Sequence, residues 1–223
     1  MFESRYSKVL TVILVIVIIA IVGLLGFLAY DYYQNYVITK DTSEFVDNFQ
    51  GEVTDGEATD DGNTTTSTDE NPFDQIQDAT TGGNGSSSTK PTYKGYGVLG
   101  TIEIPTINLK YPVLDKVTKK SIETSVAFLY GSGLNQPGNS VIIGHNYRNG
   151  LFFSNNKKLN VGDKIYITDN SGTKLTYTIY NKFETTPEDT SFYQRDTGGK
   201  PEVTLSTCTD DSKARLIIFA KTE

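Results

Sequence analysis

The sequence predicts an all-β barrel or sandwich held outside a membrane by an apolar helix and a disordered linker, and three changes of texture predict it. Hydrophobic residues crowd the first 30 positions, small polar and acidic residues fill roughly the next 60, and the remainder alternates short β-type runs with turn residues. Of the 223 residues, about 130 are left for a core. A domain of that size buries roughly two-thirds of its unfolded surface without disulfides or metals.

Val9 to Ala29 is an uncharged apolar run of 21 residues, long enough to cross a hydrocarbon layer about 30 Å thick as a helix. A cleavable signal peptide has a shorter core and ends in small residues, whereas Tyr30, Asp31, Tyr32 and Tyr33 follow this run. A single-pass anchor is therefore expected over 9–29, with 1–8 as a cytoplasmic tail. Arg5 and Lys8 precede the span and Asp31 follows it, which by the positive-inside rule puts the N-terminus in the cytoplasm and the rest outside.

Residues 30–91 are expected to be a flexible linker rich in Gly, Ser, Thr and acid, because they carry too few apolar groups to offset the entropy of ordering. Short apolar islands at Glu44 to Phe49 and Pro72 to Ile76 are candidates for transient helix. The formal charge of −7 belongs to this segment: residues 31–90 hold thirteen Asp or Glu against Lys40 and Lys90, while 91–223 hold sixteen Lys or Arg against thirteen acids. The folded part is nearly balanced and lacks the basic stripe that a nucleic-acid partner requires.

The domain is expected over 92–223, with strands at Val98 to Ile104, Ile107 to Val113, Ala127 to Tyr130, Ser140 to His145, Lys164 to Thr168, Lys174 to Phe183, Glu202 to Thr207 and Ala214 to Lys221. Prolines and glycines punctuate them. In KLTYTIY at 174–180, strict alternation puts Leu175, Tyr177 and Ile179 on one face, the mark of a half-buried strand. Short helical pieces are expected at Thr118 to Thr124 and Leu151 to Asn155. The glycines of GSGLNQPG, 131–138, follow no βαβ pattern and read as a turn.

One His and one Cys cannot build a zinc site of the usual kind. An exported domain with a single cysteine has no internal disulfide to make, so Cys208 is a buried small hydrophobe, an intermolecular bridge or a reactive thiol. His145 closes VIIGH and Cys208 closes VTLSTC; strand ends expose a side chain to a groove while holding it rigidly. A thiol with a reference pKa near 8.5 needs a nearby base or cation to react, and imidazole supplies either. If the strands flanking Thr209 to Lys213 form a hairpin, Arg215 lies beside Cys208, where a guanidinium can hold a developing oxyanion.

TLSTC at 204–208 with Arg215 heading RLIIFAK, GTIEIP at 100–105 and NSVIIGHN at 139–146 together resemble the sortase family, across residues 95–223. The resemblance implies an eight-stranded sortase-type β-barrel and a cysteine transpeptidase. The thiolate attacks the Thr-Gly bond of an LPxTG-like sorting signal on a surface protein and passes the acyl group to an amine of a cell-wall precursor. Pilin-polymerising sortases use a pilin lysine instead, and a non-catalytic stalked barrel is the alternative from another class. By this resemblance Cys208 is the nucleophile, His145 the acid/base and Arg215 the substrate and oxyanion ligand. Thr207, Phe192 and Tyr193 are candidates for substrate contact. No cofactor is required; calcium activates part of the family, and Glu184, Glu188 and Asp189 are possible oxygen ligands. Class stays open: TLSTC is common in class B, the stretch Leu151 to Asp163 looks more like class A or D, and no second hydrophobic segment lies between the last strand and Glu223.

Overall fold

The computed structural model describes the backbone of residues 3–54 and 91–222 and the side chains of 9–49 and 91–222. Strands β1 (Thr92–Tyr93), β2 (Tyr96–Ile104), β3 (Leu109–Leu114), β4 (Val126–Tyr130), β5 (Gly138–Ile143), β6 (Lys164–Asp169), β7 (Lys174–Thr185), β8 (Pro201–Cys208) and β9 (Arg215–Thr222) form one sheet. Its order is β1-β2-β3-β4-β5-β8-β9-β7-β6, and β2 also pairs with β6. That last pairing closes β2 to β9 into the expected eight-stranded barrel and removes the sheet edges; β1 is a two-residue extension folded onto β2. Pairs β3–β4 and β5–β8 are parallel and the others antiparallel.

Alternation decides what fills the barrel. Ile102, Ile104, Val113, Ile142, Ile165, Ile167, Leu205 and Ile218 point inward and are essentially fully buried, and all but Leu205 are β-branched, which suits a pleated surface. Tyr177 and Ile179 are buried as the KLTYTIY pattern requires, while Lys174 and Thr176 are exposed. Gly100 is where β2 meets β6 too closely for a side chain: a Cβ there would lie 2.2 Å from the Thr168 carbonyl oxygen. The helical piece expected at 118–124 is α2 (Lys119–Ile122), capped by Thr118 and Ser121 in a reciprocal capping box. The piece expected at 151–155 is instead turn, and a 3₁₀ helix follows at Asn156–Lys158.

The linker needs correction. Helix α1 runs from Glu3 to Thr54, so residues 30–54, expected to be flexible, are helical, and the stretch from Asn35 onward touches the barrel. Ile38, Thr42, Phe45, Val46 and Phe49 recur at helical spacing, with Thr42 and Val46 fully buried and Phe49 at 4% exposure. The Phe45 ring meets Tyr93 edge-on at 5.0 Å. Asp41 accepts hydrogen bonds from Lys94 at 2.7 Å and Tyr93 at 2.8 Å, and Asp47 one from Lys110 at 2.7 Å. The charged pairs are exposed and add little; the apolar stripe supplies the adhesion. Composition averaged over 60 positions hid a stripe that VITKDTSEFVDNF, 37–49, carries in its spacing. Residues 55–90, with the Pro72 to Ile76 island, lie outside the described residues.

The N-terminal part of α1 is long and apolar enough to cross a membrane, and none of it is buried against the barrel. Phe49→Ala is expected to cost about 3 kcal/mol of stability, the usual loss for deleting a buried ring. Urea denaturation of the detergent-solubilised protein measures it, and Val37→Ala, on a more exposed position, serves as the comparison.

Candidate active site

Cys208 and Arg215 are cross-strand partners at the open end of the β8–β9 hairpin. The hairpin exists because both strands bury nearly every residue, whereas Thr209 to Lys213 is polar and closes on itself: Thr209 N–H donates to the Ala214 carbonyl and its hydroxyl to Asp211. The Arg215 Nη1 donates to the Cys208 Sγ at 3.0 Å. Cys208 is a free thiol, partly exposed.

His145 lies two residues past the end of β5 and not within it, a small departure from the expected strand. Three bonds fix the excursion. Thr207 Oγ1 donates to the Gly144 carbonyl at 2.7 Å, Gly144 N–H reaches the Ser206 carbonyl at 3.3 Å, and the His145 carbonyl accepts from Phe153 N–H at 3.0 Å. A side chain at 144 would press within 2.9 Å of the Phe153 ring and Val126, so the chain passes under Phe153 only with glycine before the histidine. The imidazole stacks on Tyr147 at 4.7 Å between centroids.

His145, Cys208 and Arg215 line one cleft of about 290 Å³. Its other walls come from α2 and β4, through Ile122 and Leu129, and from the β7–β8 loop, through Phe192 and Tyr193. The structure thus brings the three predicted chemical residues to one groove, with apolar walls beside them.

The substrate-contact candidates divide. Thr207 lines the cleft but is 4% exposed, and its hydroxyl is engaged by Gly144; it ties β8 to the histidine segment. Phe192 is 5% exposed and packs on Val141, Ile217 and Phe219, forming a cleft wall from behind. Tyr193 is more open and stacks on Tyr130 at 5.5 Å. Burial raises its phenol pKa, partly offset by the nearby Arg215 charge.

What holds this loop escaped the sequence reading. Asn139 Nδ2 donates to the carbonyls of Phe192 at 3.0 Å and Tyr193 at 2.9 Å. Arg195 grips Asn139 Oδ1 at 2.8 Å, Glu202 at 2.7 Å and the Tyr180 hydroxyl, with its guanidinium 3.7 Å above Phe219. Asn146 Nδ2 ties the histidine segment to the Cys208 carbonyl at 3.0 Å and to Asp210 at 2.9 Å. Asn139 and Asn146 bracket NSVIIGHN, so the signal was in the motif; Arg195 carried none, because only the fold brings β5, β7, β8 and the loop around it.

Among the described residues no three His, Cys, Asp or Glu side chains converge to hold a metal. Of the calcium candidates, Asp189 accepts from Thr185 Oγ1 and Ser191 N–H, and Glu184 faces a different cleft.

Burial holds the His145 imidazole below its ordinary pKa, with Glu123 pulling weakly the other way. The neutral form, which accepts a thiol proton, therefore dominates at pH 7. Because the folded pKa is depressed, the unfolded chain binds this proton first as pH falls below about 6.5, and stability is lost from there downward and regained as pH rises. The shifted carboxylates, Asp41, Asp189, Asp210 and Asp211, all lie lower still. His145 is the only histidine, so His145→Gln is expected to flatten the stability difference between pH 5 and pH 7.5 in urea titrations.

The family model for the sortase domain matches residues 102–223. The chain is 33% identical over 124 residues to sortase A of Bacillus anthracis, covering 54% of this chain and 58% of that protein. Among solved structures, sortase A from Corynebacterium diphtheriae superposes with a TM-score of 0.52 at 31% identity, over 57% of this chain and 61% of that one. The sortase D5 transpeptidase of Clostridium perfringens gives 0.52 at 29% identity, over 57% and 79%. The chain spans a little over half the length of the curated relatives it matches. With one closed barrel, one cleft holding thiol, imidazole and guanidinium, and a domain match across more than half its length, this chain belongs to the sortase family.

Proposed function

We propose that the protein is a membrane-anchored transpeptidase that cleaves an LPxTG-like sorting signal on surface proteins and joins the acyl part to an amine of the cell wall. The observation that carries this reading is the 3.0 Å contact between the Arg215 guanidinium and the Cys208 sulfur in the cleft that His145 also lines. His145 takes the thiol proton; the sulfur attacks the carbonyl carbon; Arg215 receives the charge growing on its oxygen. As imidazolium, His145 then protonates the departing amine, and a thioester on Cys208 remains. The chemistry needs only these protein groups and no cofactor.

The apolar walls of the cleft suit the leucine and proline of such a signal. A non-catalytic barrel gains no support, since an inert core thiol has no reason to sit partly exposed beside a guanidinium. Anchoring follows from the exposed apolar part of α1, and Arg5 and Lys8 before it favour a cytoplasmic N-terminus with the barrel outside.

The test is mass spectrometry of the protein after incubation with a library of LPxTG-like peptides. An acyl adduct on Cys208 is expected, and the adduct masses report the preferred sequence. A library that leaves the sulfur unmodified in folded, thiol-reactive protein would remove the transpeptidase assignment.

A further inference from the structure

The cleft that holds Cys208 does not end at its apolar walls. Leu129 and Tyr193 line it and also line a second, larger groove of about 780 Å³. That groove continues between the β4–β5 turn, through Tyr130 and Ser132, and the β7–β8 loop, through Gln194 and Arg195, with Asn139 beneath.

The register sets both stretches on one face of the barrel. β5 pairs with β8 as Ile143 with Ser206, Val141 with Thr204 and Asn139 with Glu202. Alternation gives Cys208, Ser206, Thr204 and Glu202 the same face, opposite to the core side that Ile142 and Leu205 fill. On β4 the register slips between Phe128 and Tyr130, so Phe128 stands opposite inward Ile142 and Tyr130 opposite outward Val141. This bulge keeps Tyr130 beside Leu129 on the groove side.

Both walls are fixed before anything binds. Ser140 Oγ donates to the Gly133 carbonyl at 2.6 Å and holds the β4–β5 turn, while Asn139 and Arg195 hold the opposite loop. Arg195 is spent on Glu202. What the groove offers an occupant is polar: the exposed side chains of Ser132, Gln194 and Asp196 beside the stacked rings of Tyr130 and Tyr193.

Length decides what reaches it. Along β8, Thr204 lies about 13 Å from Cys208 and Glu202 about 20 Å. Four extended residues, the length of the acyl part of an LPxTG-like signal, also span about 13 Å. Laid from the sulfur along the apolar walls, they end at the row Tyr130, Val141, Thr204, and the residues before them enter the larger groove.

We propose that the groove beyond Tyr130 and Tyr193 binds the surface-protein chain immediately N-terminal to the sorting signal, as an extended segment held by polar contacts. The inference rests on the transpeptidase reading and adds a recognition site upstream of the signal itself. Binding there draws on a part of the substrate remote from the reacting bond, so it strengthens capture and leaves the chemical step alone.

The experiment measures cleavage by the full-length protein of the sorting peptide selected by mass spectrometry, bare or extended by six alternating Ser and Thr residues either upstream or downstream. For wild type the upstream extension is expected to raise kcat/KM about ten-fold, chiefly through KM. Ser132→Trp and Gln194→Trp fill the groove from opposite walls and are expected to abolish that gain. Both variants should cleave the bare peptide within about two-fold of wild type, a split that a general structural defect does not produce. Equal kcat/KM for bare and upstream-extended peptides in wild type overturns the site, as does a gain that survives both variants or follows the downstream extension instead. If wild type forms no adduct and cleaves none of the peptides, the underlying reading falls.

Discussion

Replacing Cys208 by alanine is expected to lower the rate of the proposed sorting-signal cleavage by at least about 10⁴-fold, to the level of residual binding effects. No second nucleophile is at hand: Cys208 is the only cysteine of the chain, and the hydroxyl of neighbouring Thr207 is held by the Gly144 carbonyl in a 4% exposed position. The barrel should be unharmed, because the lost sulfur is partly exposed at a strand end and the Asn146 bond reaches the backbone carbonyl of residue 208, not its side chain. Quenched-peptide cleavage together with a thermal melt checks both halves. Cleavage within ten-fold of wild type in Cys208→Ala would falsify the nucleophile assignment outright.

Arg215→Ala is expected to cost about 10²- to 10³-fold in kcat/KM, the usual loss of 2.7–4 kcal/mol when one oxyanion donor is removed. The guanidinium is fixed from both ends: its backbone pairs with Thr185 of β7 and with Cys208 of β8, and its Nη1 lies 3.0 Å from the sulfur. It is therefore in place before the charge develops, which is what makes such a donor effective. Arg215→Lys keeps the charge but loses the planar fork, so it is expected to recover only part of the rate. Pre-steady-state measurement of thioester formation separates this from a defect in acceptor binding, and equal rates for Arg215→Ala and wild type would reassign the residue to a structural role.

The barrel was legible because its strands are short alternating or β-branched runs and most of its turns carry glycine or proline. All eight expected runs are strands, shifted by no more than two residues at their ends. Cys208 and Arg215 were legible because a five-residue polar turn between two apolar runs makes a hairpin, and a hairpin makes neighbours. Helix α1 past residue 30 was not, since its adhesive stripe is interleaved with Lys40, Asp41, Glu44 and Asp47, and its partners Tyr93 and Lys110 stand far along the chain.

The sequence by itself determined the local terms: where strands run, where they turn, which span is apolar enough for a membrane, and that the chain's only thiol and only imidazole stand at the ends of expected strands, with Arg215 opening the strand after Cys208. Only the tertiary structure decided that β5 lies parallel beside β8, which carries His145 to the cleft of Cys208, and that Arg195 and Asn139 clamp the β7–β8 loop into its wall. Periodicity and turn chemistry act between residues a few positions apart, whereas a cleft is made by strand pairings closed over dozens of residues, whose energy resides in contacts no local pattern records.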